Sequence, residues 1–301
     1  MFQSPAFVGI DWGTSNARFL LMNDAGNVIE QRGGPGIGQI TGGDRIEEIC
    51  FDSIGEWLIQ NPRLPVIMAG MVGSNIGWHI AEYAPTPAKL ADLVGGLAHF
   101  QARGHDFSIV PGLSTGRRDG LPDVMRGEEI QIFGASHGRE ALFCLPGTHS
   151  KWATYAGNAI TGFHTALTGE LLDLIGRSSI LLNPKRPVRA QADPDFQQGI
   201  LTAKNSALGI ETLLFVVRSR QVTGEINDGR AENYLAGLVI GCEIRSAMML
   251  YGSEQIVTLV GSPELTSLYA AGLDCFGTPS EQVSGDQASL AGLYQLYRAT
   301  Q

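Results

Sequence analysis

Two short turns carry the residues best suited to phosphate binding: Asp11–Arg18 (DWGTSNAR) and Pro146–Lys151 (PGTHSK). Each follows an apolar segment and combines glycine with hydroxyl residues, so its backbone N–H groups can converge on an anion without a lysine. We predict phosphate contacts from both turns. The residues concerned are Gly13, Thr14, Ser15, Asn16, Gly147, Thr148, His149, Ser150 and Lys151. A structural hydrogen bond for His149 and a solvated position for Lys151 are alternatives.

Two charged residues bound the first turn. Asp11 would hold Mg²⁺, through water, against the phosphates of a nucleotide, because Mg²⁺ prefers oxygen ligands and keeps several waters. Arg18 could neutralise developing charge or clamp an anionic acceptor. Either turn alone is equally typical of a plain β-hairpin. Two such turns in one chain favour the phosphate function. The sequence contains neither a Walker A pattern nor a dinucleotide glycine fingerprint after the first strand.

A third candidate is Gly261–Ser262, directly after the apolar segment IVTLV. A glycine at the end of a strand leaves room for the ring of a nucleoside, so we predict an adenosine site here. An ordinary strand-to-helix loop is the alternative.

The hydrophobic pattern indicates which elements position these residues. The chain opens with a predicted β-meander whose strands are residues 7–11, 18–22 and 28–32. A second hairpin is predicted around Gly157 and Asn158, after the apolar strand at 141–145. A polar loop is expected through Gly120. Helices are predicted at 41–60, 89–101, 128–137, 168–175, 196–217, 230–250, 263–271 and 287–298.

Composition limits the class of protein. A chain of 301 residues with 44% hydrophobic residues suggests two domains. Its net charge of −9 argues against nucleic acid or an anionic membrane surface as a partner. The apolar stretches look too short to span a bilayer, and the N-terminus lacks a signal-peptide pattern, so a cytoplasmic location is expected. Four scattered cysteines indicate free thiols, and the histidines lack metal-ligand spacing.

The three motifs, in this order, resemble the phosphate-1, phosphate-2 and adenosine motifs of the actin/hexokinase/Hsp70 superfamily. The resemblance implies an α/β fold of two ribonuclease-H-like domains, with mixed five-stranded sheets flanking an ATP cleft. The predicted domains are residues 1–138, with phosphate-1 and the acceptor site, and residues 139–301, with phosphate-2 and the adenosine site. The C-terminal helix could pack back on the first domain.

Further segments narrow the resemblance: MAGMVGSN at 68–75, VPGL at 110–113, DVMRGEEIQ at 123–131, TALTGEL at 165–171 and the PGTHSKW stretch. Together they are similar to the 2-dehydro-3-deoxygalactonokinase family of sugar-acid kinases. The resemblance implies ATP and Mg²⁺ as cofactors. It also implies a 2-keto-3-deoxy sugar acid, with 2-dehydro-3-deoxy-D-galactonate expected, phosphorylated on its C6 hydroxyl.

Phosphoryl transfer to a hydroxyl needs a carboxylate near the acceptor oxygen. Glu128 is the favoured base, followed by Asp123, with Glu129 as a third candidate. The glutamates could instead only stabilise a helix N-terminus. Predicted substrate contacts come from Arg18, Gly73, Ser74, Asn75, Trp78, Arg126 and Glu170. For Glu170, a helix N-terminal acid is the alternative.

Two other functions stay open at this point. A kinase of the same fold could act on a neutral hexose or an amino sugar. An actin-like ATPase could serve as a filament or scaffold, although such a switch would not need the acidic MRGEE segment. The sequence leaves homo-oligomer formation open.

Overall fold

The structure is a computed structural model that describes residues 4–41, 44–117 and 120–301. The chain forms two compact units. The first comprises Met1–Glu140, Thr154–Phe163 and Gly285–Gln301, and the second comprises Ala141–Ala153 and His164–Ser284. The predicted domains, 1–138 and 139–301, stay a prediction.

The chain up to residue 140 contains ten strands and three α-helices within the described residues. In chain order they are β1 Pro5–Trp12, β2 Asn16–Asn23, β3 Val28–Pro35, α1 Asp44–Gln60, β4 Val66–Gly70, β5 Tyr83–Pro85, β6 Ala88–Lys89, α2 Leu90–Gly95, β7 Ala98–Ala102, β8 His105–Ile109, β9 Gly112–Gly116, β10 Pro122–Met125 and α3 Glu128–Ser136.

The first sheet has the order β3-β2-β1-β4-β8-β7. Strands β1, β2 and β3 form the predicted antiparallel meander, and β4 and β8 then add in parallel to β1. All five residues of β4 are buried, as is typical of a central parallel strand. Helix α1 packs on the sheet through Ile46, Cys50, Ile54 and Leu58, at the predicted helical spacing. The predicted start of this helix includes residues 42–43, which lie outside the described residues.

The rest of the chain adds five strands and six helices. They are β11 Ala141–Leu145, β12 Ser150–Ala156, β13 Ala159–Ala166, α4 Thr168–Ser178, α5 Pro194–Lys204, α6 Ile210–Val222, α7 Asp228–Tyr251, β14 Val257–Gly261, α8 Pro263–Phe276, β15 Ser280–Ser284 and α9 Gly285–Ala299. Helix α9 belongs to the first unit.

The second sheet has the order β15-β14-β11-β12-β13-β6. Its succession β13-β12-β11-β14-β15 repeats the succession β3-β2-β1-β4-β8 of the first sheet. Each sheet therefore contains the same five-strand arrangement plus one edge strand, β6 or β7. The predicted α/β class with two mixed sheets is confirmed, with six strands per sheet over the described residues where five were expected.

Three predicted elements differ. The helix predicted at 89–101 ends at Gly95 and is followed by β7, because a pair of glycines interrupts it. The helix predicted at 196–217 is two helices, separated at residues 205–209. Part of the predicted polar loop is β9, which forms a small sheet in the order β10-β9-β5. The loop's residues 118–119 lie outside the described residues.

Helix α7 corrects the expectation about apolar length. Its 24 residues are long and apolar enough to cross a membrane by length and composition alone. However, 67% of the qualifying window is buried inside the protein, as in a core helix, so this is weak support for a membrane span. The four cysteines are free, as predicted.

Candidate active site

The turn at residues 13–15 is hydrogen-bonded to the backbone of residues 36–38. The carbonyl oxygens of its three residues accept hydrogen bonds of 2.9–3.2 Å from the N–H groups of residues 36–38. The approach is so close that a Cβ on Gly36 would lie 2.3 Å from the Thr14 carbonyl oxygen. Thr14 and Ser15 are exposed, and within the described part of the chain their own N–H groups donate no backbone hydrogen bond. The turn thus presents donors outward and hides its acceptors, as an anion site requires.

Asp11 and Arg18 face each other across the β1–β2 hairpin. Arg18 Nη2 donates to Asp11 Oδ2 at 2.5 Å, and the Ser289 hydroxyl donates to the same oxygen at 2.8 Å. The guanidinium also pairs with Asp286. Gln131 Nε2 donates to Ser289 Oγ at 3.1 Å. Arg18 is therefore occupied by two carboxylates in this structure, and one of them comes from α9.

Helix α9 reaches Asp11 because it crosses α3 at very short range. A Cβ on Gly292 would lie 2.0 Å from the Ile130 carbonyl oxygen, and one on Gly134 would lie 2.0 Å from the Ala288 carbonyl oxygen. Glycine at both positions allows the two backbones to touch. The crossing brings Ser289 beside Asp11, although the two residues are 278 positions apart.

The three candidate bases lie around the N-terminus of α3. Glu128 is half-buried, and its Oε2 accepts from the Arg126 backbone N–H at 3.0 Å. Glu129 is fully buried, and both its oxygens accept from the Gly127 N–H, at 2.8 and 2.7 Å. Asp123 is half-buried on β10 and accepts from the Val124 N–H at 2.8 Å. Only Glu128 and Asp123 therefore have surface with which to meet a substrate.

The pKa of the Glu129 carboxyl group is strongly raised. Burial, and secondarily the charge of Glu128, raises the pKa of Glu129 from 4.5 to about 8. Its carboxyl group is therefore largely protonated at neutral pH. A neutral, buried carboxyl group that closes the turn at Gly127 serves to shape the backbone around the helix N-terminus.

This shift predicts a pH dependence of stability. Because the folded-state pKa lies above the unfolded one, the stabilisation is complete below pH 4.5 and is lost as the pH rises through about 8. We expect the free energy of unfolding to fall by up to ~1.4 kcal/mol per pH unit in that window, and Glu129→Gln to remove this slope.

Denaturant unfolding at pH 5.0 to 8.5 measures the slope. Glu56→Gln is the matched control because its side chain is 73% exposed, and it should follow the wild type. Equal slopes for the wild type and Glu129→Gln would contradict the assignment.

Arg126 contacts Ala81 and Tyr83, and some of its hydrogen-bond donors have no partner in the described chain. Its Nη2 donates to the Ala81 carbonyl oxygen at 2.7 Å, and its Cζ lies 4.3 Å from the centre of the Tyr83 ring. Its Nε and Nη1 are buried and have no hydrogen-bond partner among residues 4–41, 44–117 and 120–301. Buried unsatisfied donors cost about 1–3 kcal/mol each. An anion or water is the kind of partner that would remove this cost.

The loop after β4 uses most of its predicted substrate residues for structure. Ser74 is buried, and its hydroxyl donates to the Met71 carbonyl oxygen at 2.7 Å. Trp78 packs edge-on against Phe100 and Phe107, with ring centres 5.1 Å apart in both cases. A Cβ on Gly73 would lie 2.8 Å from Arg126 Nη1, and Asn75 is exposed. Of the four predicted residues in this loop, Gly73 therefore adjoins Arg126 and Asn75 is exposed to solvent.

The second turn splits into an exposed and a buried part. Thr148 and His149 are exposed and Gly147 is half-buried, whereas Ser150 and Lys151 are buried. The Ser150 hydroxyl lies 2.9 Å from the Tyr269 hydroxyl. Within the described chain, the N–H groups of residues 147–149 donate no backbone hydrogen bond. Open donors are therefore found in both predicted phosphate turns.

Helix α4 begins against this second turn. The Glu170 N–H donates to the Thr148 carbonyl oxygen at 2.9 Å, and a Cβ on Gly169 would lie 2.3 Å from the Gly147 carbonyl oxygen. His149 Nε2 and Glu170 Oε2 lie 2.5 Å apart. The structure therefore pairs two predicted site residues, although the sequence predicts a phosphate contact for His149 and a substrate contact for Glu170.

A cavity of about 470 Å³ lies in the second unit. Its walls are mostly apolar, with Arg189, Gln191 and Glu264 as the charged or polar side chains of larger size. The lining residues are Gly147, Thr168, Gly169, Leu172, Val188, Arg189, Ala190, Gln191, Ala236, Ile240, Glu264, Leu265, Leu268 and Tyr269. Such a volume and lining are typical of small-molecule and cofactor sites.

The predicted adenosine residues stand next to this lining. Gly261 ends β14, and Ser262 is the N-cap of α8, where its side chain accepts from the Leu265 N–H at 3.4 Å. The following turn of α8 supplies Glu264 and Leu265 to the cavity. Gly261 and Ser262 therefore lead into the helix whose first turn forms part of the cavity wall.

A metal site made by protein alone is not found: the described residues hold no group of three or more His, Cys, Asp or Glu side chains suited to a metal. Asp11 Oδ1 has no hydrogen-bond partner in the described chain. One carboxylate oxygen of this kind fits Mg²⁺, which binds through one or two carboxylates together with substrate phosphates and water.

The repeated sheet arrangement gives the chain an actin/hexokinase-like α/β fold. The same fold occurs in the activator of the 2-hydroxyisocaproyl-CoA dehydratase from Clostridium difficile, with a TM-score of 0.53 and 10% identity over 98% of this chain and 95% of that one. A profile of the 2-keto-3-deoxy-galactonokinase family matches residues 11–296. The chain belongs to this family.

Curated relatives agree over the whole length. A probable 2-dehydro-3-deoxygalactonokinase of Rhizobium meliloti is 35% identical over 298 residues, 97% of both chains. The 2-dehydro-3-deoxygalactonokinase of Escherichia coli is 31% identical over 294 residues, 97% of this chain and 98% of that one. A crystal structure from Sinorhizobium meliloti, assigned to the same kinase, superposes with a TM-score of 0.84 and 32% identity over 97% of this chain and 96% of that one.

Several residues of the site were not predicted from the sequence. Ser289 and Gln131 support Asp11, and Tyr269 and residues 188–191 line the cavity. Ser289, Tyr269 and residues 188–191 lie outside the motifs described above, whereas Gln131 ends the motif at 123–131 but had no predicted role. No local sequence pattern predicts a role in the site for these residues, because the packing of distant elements brings each of them there.

Proposed function

We propose that this protein transfers the γ-phosphoryl group of ATP to the C6 hydroxyl of 2-dehydro-3-deoxy-D-galactonate, a step of sugar-acid catabolism. The observation that carries the proposal is the family match over residues 11–296. In the reaction, the bond from the γ-phosphorus to its bridging oxygen breaks, a bond to O6 forms, the hydroxyl proton passes to a base, and ADP leaves.

The cavity of the second unit is proposed as the nucleoside site of ATP. Its apolar walls, which include Leu172, Val188 and Leu268, suit the faces of a purine ring. The adjoining residues Gly147, Thr148 and His149 would take phosphate oxygens through their open N–H groups. Ser150 faces inward, so we assign it a supporting role.

The exposed turn of the first unit is proposed to bind phosphate as well. Thr14 and Ser15 would donate N–H groups, with Gly13 and Asn16 shaping the turn. Asp11 would hold Mg²⁺ through its unpartnered oxygen, and the metal would neutralise charge on the phosphates. The hydrogen bonds from Arg18 and Ser289 hold this carboxylate in place.

Arg126 is proposed as the anchor for the carboxylate of the sugar acid. Two of its buried nitrogens, Nε and Nη1, lack a partner in the described chain, and a guanidinium is well suited to a carboxylate. Gly73 has no Cβ, which would lie 2.8 Å from Nη1, and Asn75 would add a polar contact. Arg18 is already paired with two carboxylates, so Arg126 is the stronger candidate.

Glu128 is proposed as the base that takes the proton of the acceptor hydroxyl. It is the partly exposed member of the glutamate pair, and the Arg126 N–H orients its Oε2 at 3.0 Å. Glu129 is assigned to the fold of the turn. Glu170 is proposed to orient His149, because these two side chains are paired.

The location and partners follow from the same proposal. ATP and a sugar acid are small soluble molecules, and a net charge of −9 disfavours nucleic acid or an anionic membrane as a partner. We therefore place the enzyme in the cytoplasm.

A coupled ADP-release assay with Mg²⁺ tests the function. The panel contains several 2-keto-3-deoxy acids, a neutral hexose and an amino sugar, and phosphorus NMR identifies the product. We expect turnover with 2-dehydro-3-deoxy-D-galactonate and a product phosphorylated at C6. Turnover with a neutral sugar alone, or ADP release that no sugar acid accelerates, would contradict the proposal.

A further inference from the structure

A buried polar network surrounds Glu243 on α7. Glu243 is buried, with only 6% of its surface exposed. The Trp152 indole N–H donates to its Oε1 at 2.7 Å, and the Tyr269 hydroxyl donates to its Oε2 at 2.6 Å. Thr168 and Ser150 also hydrogen-bond to this carboxylate. Four side chains from three other elements, β12, α4 and α8, thus converge on one carboxylate.

Keeping a carboxylate in this place is costly unless its oxygens are satisfied. Burial raises the pKa of Glu243, and the hydrogen bonds from Thr168, Tyr269, Trp152 and Ser150 oppose that rise. All four partners are neutral, so no ion pair compensates the burial. A buried carboxyl group that is hydrogen-bonded to side chains of three other elements is an orienting centre, because each buried polar group that lost its partner would be left unsatisfied.

Three of the four donors belong to the nucleotide site described above. Ser150 is part of the second phosphate turn, and Thr168 and Tyr269 line the cavity. Tyr269 connects the two parts, since its hydroxyl lies 2.9 Å from Ser150 Oγ. The carboxylate of Glu243 lies behind the wall that these residues form.

We propose that Glu243 is a positioning residue that holds the nucleotide cavity and the second phosphate turn in the arrangement that binds ATP. This inference rests on the proposed function of that cavity. Glu243 touches neither reactant. It acts through Tyr269, Thr168 and Ser150. It orients the hydroxyl groups of these residues, which lie on three elements that are far apart in the chain.

Glu243→Gln tests the inference with almost no change of shape. It replaces one acceptor oxygen by an NH₂ group. This group is a donor, so it cannot accept the hydrogen bond of the Tyr269 hydroxyl or the Trp152 indole N–H. We expect the dissociation constant of ADP, from calorimetry, and the KM for ATP to rise at least ~10-fold, the scale of one buried polar group left unsatisfied. The KM for the sugar acid and kcat at saturating ATP should change less than ~2-fold.

Val217→Ala is the control for a general loss of stability. Val217 is fully buried in α6, in a hydrophobic cluster that does not contain the Glu243 network. This variant should unfold at a lower temperature and bind ADP as the wild type does. A comparable loss of ADP affinity in Val217→Ala would show that instability alone explains the effect and would overturn the inference.

Tyr269→Phe is the second variant and decides the question if Glu243→Gln does not fold. It removes only the hydroxyl between Glu243 and Ser150, and weakened ADP binding is expected. ADP affinity within ~2-fold of the wild type in the folded variant would overturn the inference. If the wild type binds ADP but phosphorylates no sugar acid, the proposed function fails while the ADP titration still decides the role of Glu243. A wild type that binds no ADP would overturn both.

Discussion

Glu128→Gln is expected to lower kcat by about 10²- to 10³-fold and to change the KM for each substrate by less than ~3-fold. The amide keeps the volume of the side chain and an oxygen that can accept the Arg126 N–H at the position now 3.0 Å away. It cannot take a proton from the acceptor hydroxyl. The loss should therefore fall on the chemical step and leave binding nearly intact.

The measurement is a coupled ADP-release assay in which ATP and the sugar acid are varied independently. Asp123→Asn is the matched comparison, because Asp123 is also half-buried and lies close in sequence, on β10. It should retain activity within ~5-fold of the wild type. Near-normal turnover in Glu128→Gln together with an inactive Asp123→Asn would move the base to Asp123.

Asp11→Asn is expected to reduce kcat/KM for Mg·ATP by about 10²-fold or more, because a carboxylate that holds the metal against the phosphates supplies charge neutralisation that an amide cannot. The substitution also removes the ion pair with Arg18 at 2.5 Å. It leaves an amide that the Ser289 hydroxyl can still contact.

Calorimetric titration of ADP with and without Mg²⁺ provides a readout independent of turnover. Mg²⁺ should increase ADP affinity in the wild type and have a much smaller effect in Asp11→Asn. Asp286→Asn is the control, since it breaks the other ion pair of Arg18 at a side chain that is 77% exposed. It should behave as the wild type does. An equal Mg²⁺ effect in Asp11→Asn and the wild type would remove Asp11 from the metal site.

The ion pairs of Arg18 with Asp11 and Asp286 change the role expected for this residue. From the sequence, Arg18 was a free guanidinium available to phosphate or substrate. In the structure it joins Asp11 to Asp286 and so connects the first phosphate turn to the last helix. The partner Asp286 lies 268 positions away, and no local pattern could have indicated it.

Much of the fold was predictable from local patterns. Apolar runs predicted β1, β11 and β14, and the Gly157–Asn158 turn predicted the hairpin of β12 and β13. The short strands β5, β6, β9 and β10 were not predicted, because two to five polar or mixed residues carry no measurable periodicity. They form only because a neighbouring strand supplies their hydrogen bonds.

The sequence by itself determined the two glycine-rich turns, the hairpin that has Asp11 and Arg18 at the ends of its turn, and the acidic start of α3, since each depends on residues close in the chain. The tertiary structure alone decided which side chains of these motifs face outward. It turned Ser150 and Glu129 inward, left Thr148 and Glu128 accessible, and brought Ser289 and Tyr269 to the motifs. The physical reason is that spacing along a chain specifies local backbone geometry, whereas burial and side-chain partners depend on which distant elements pack against it.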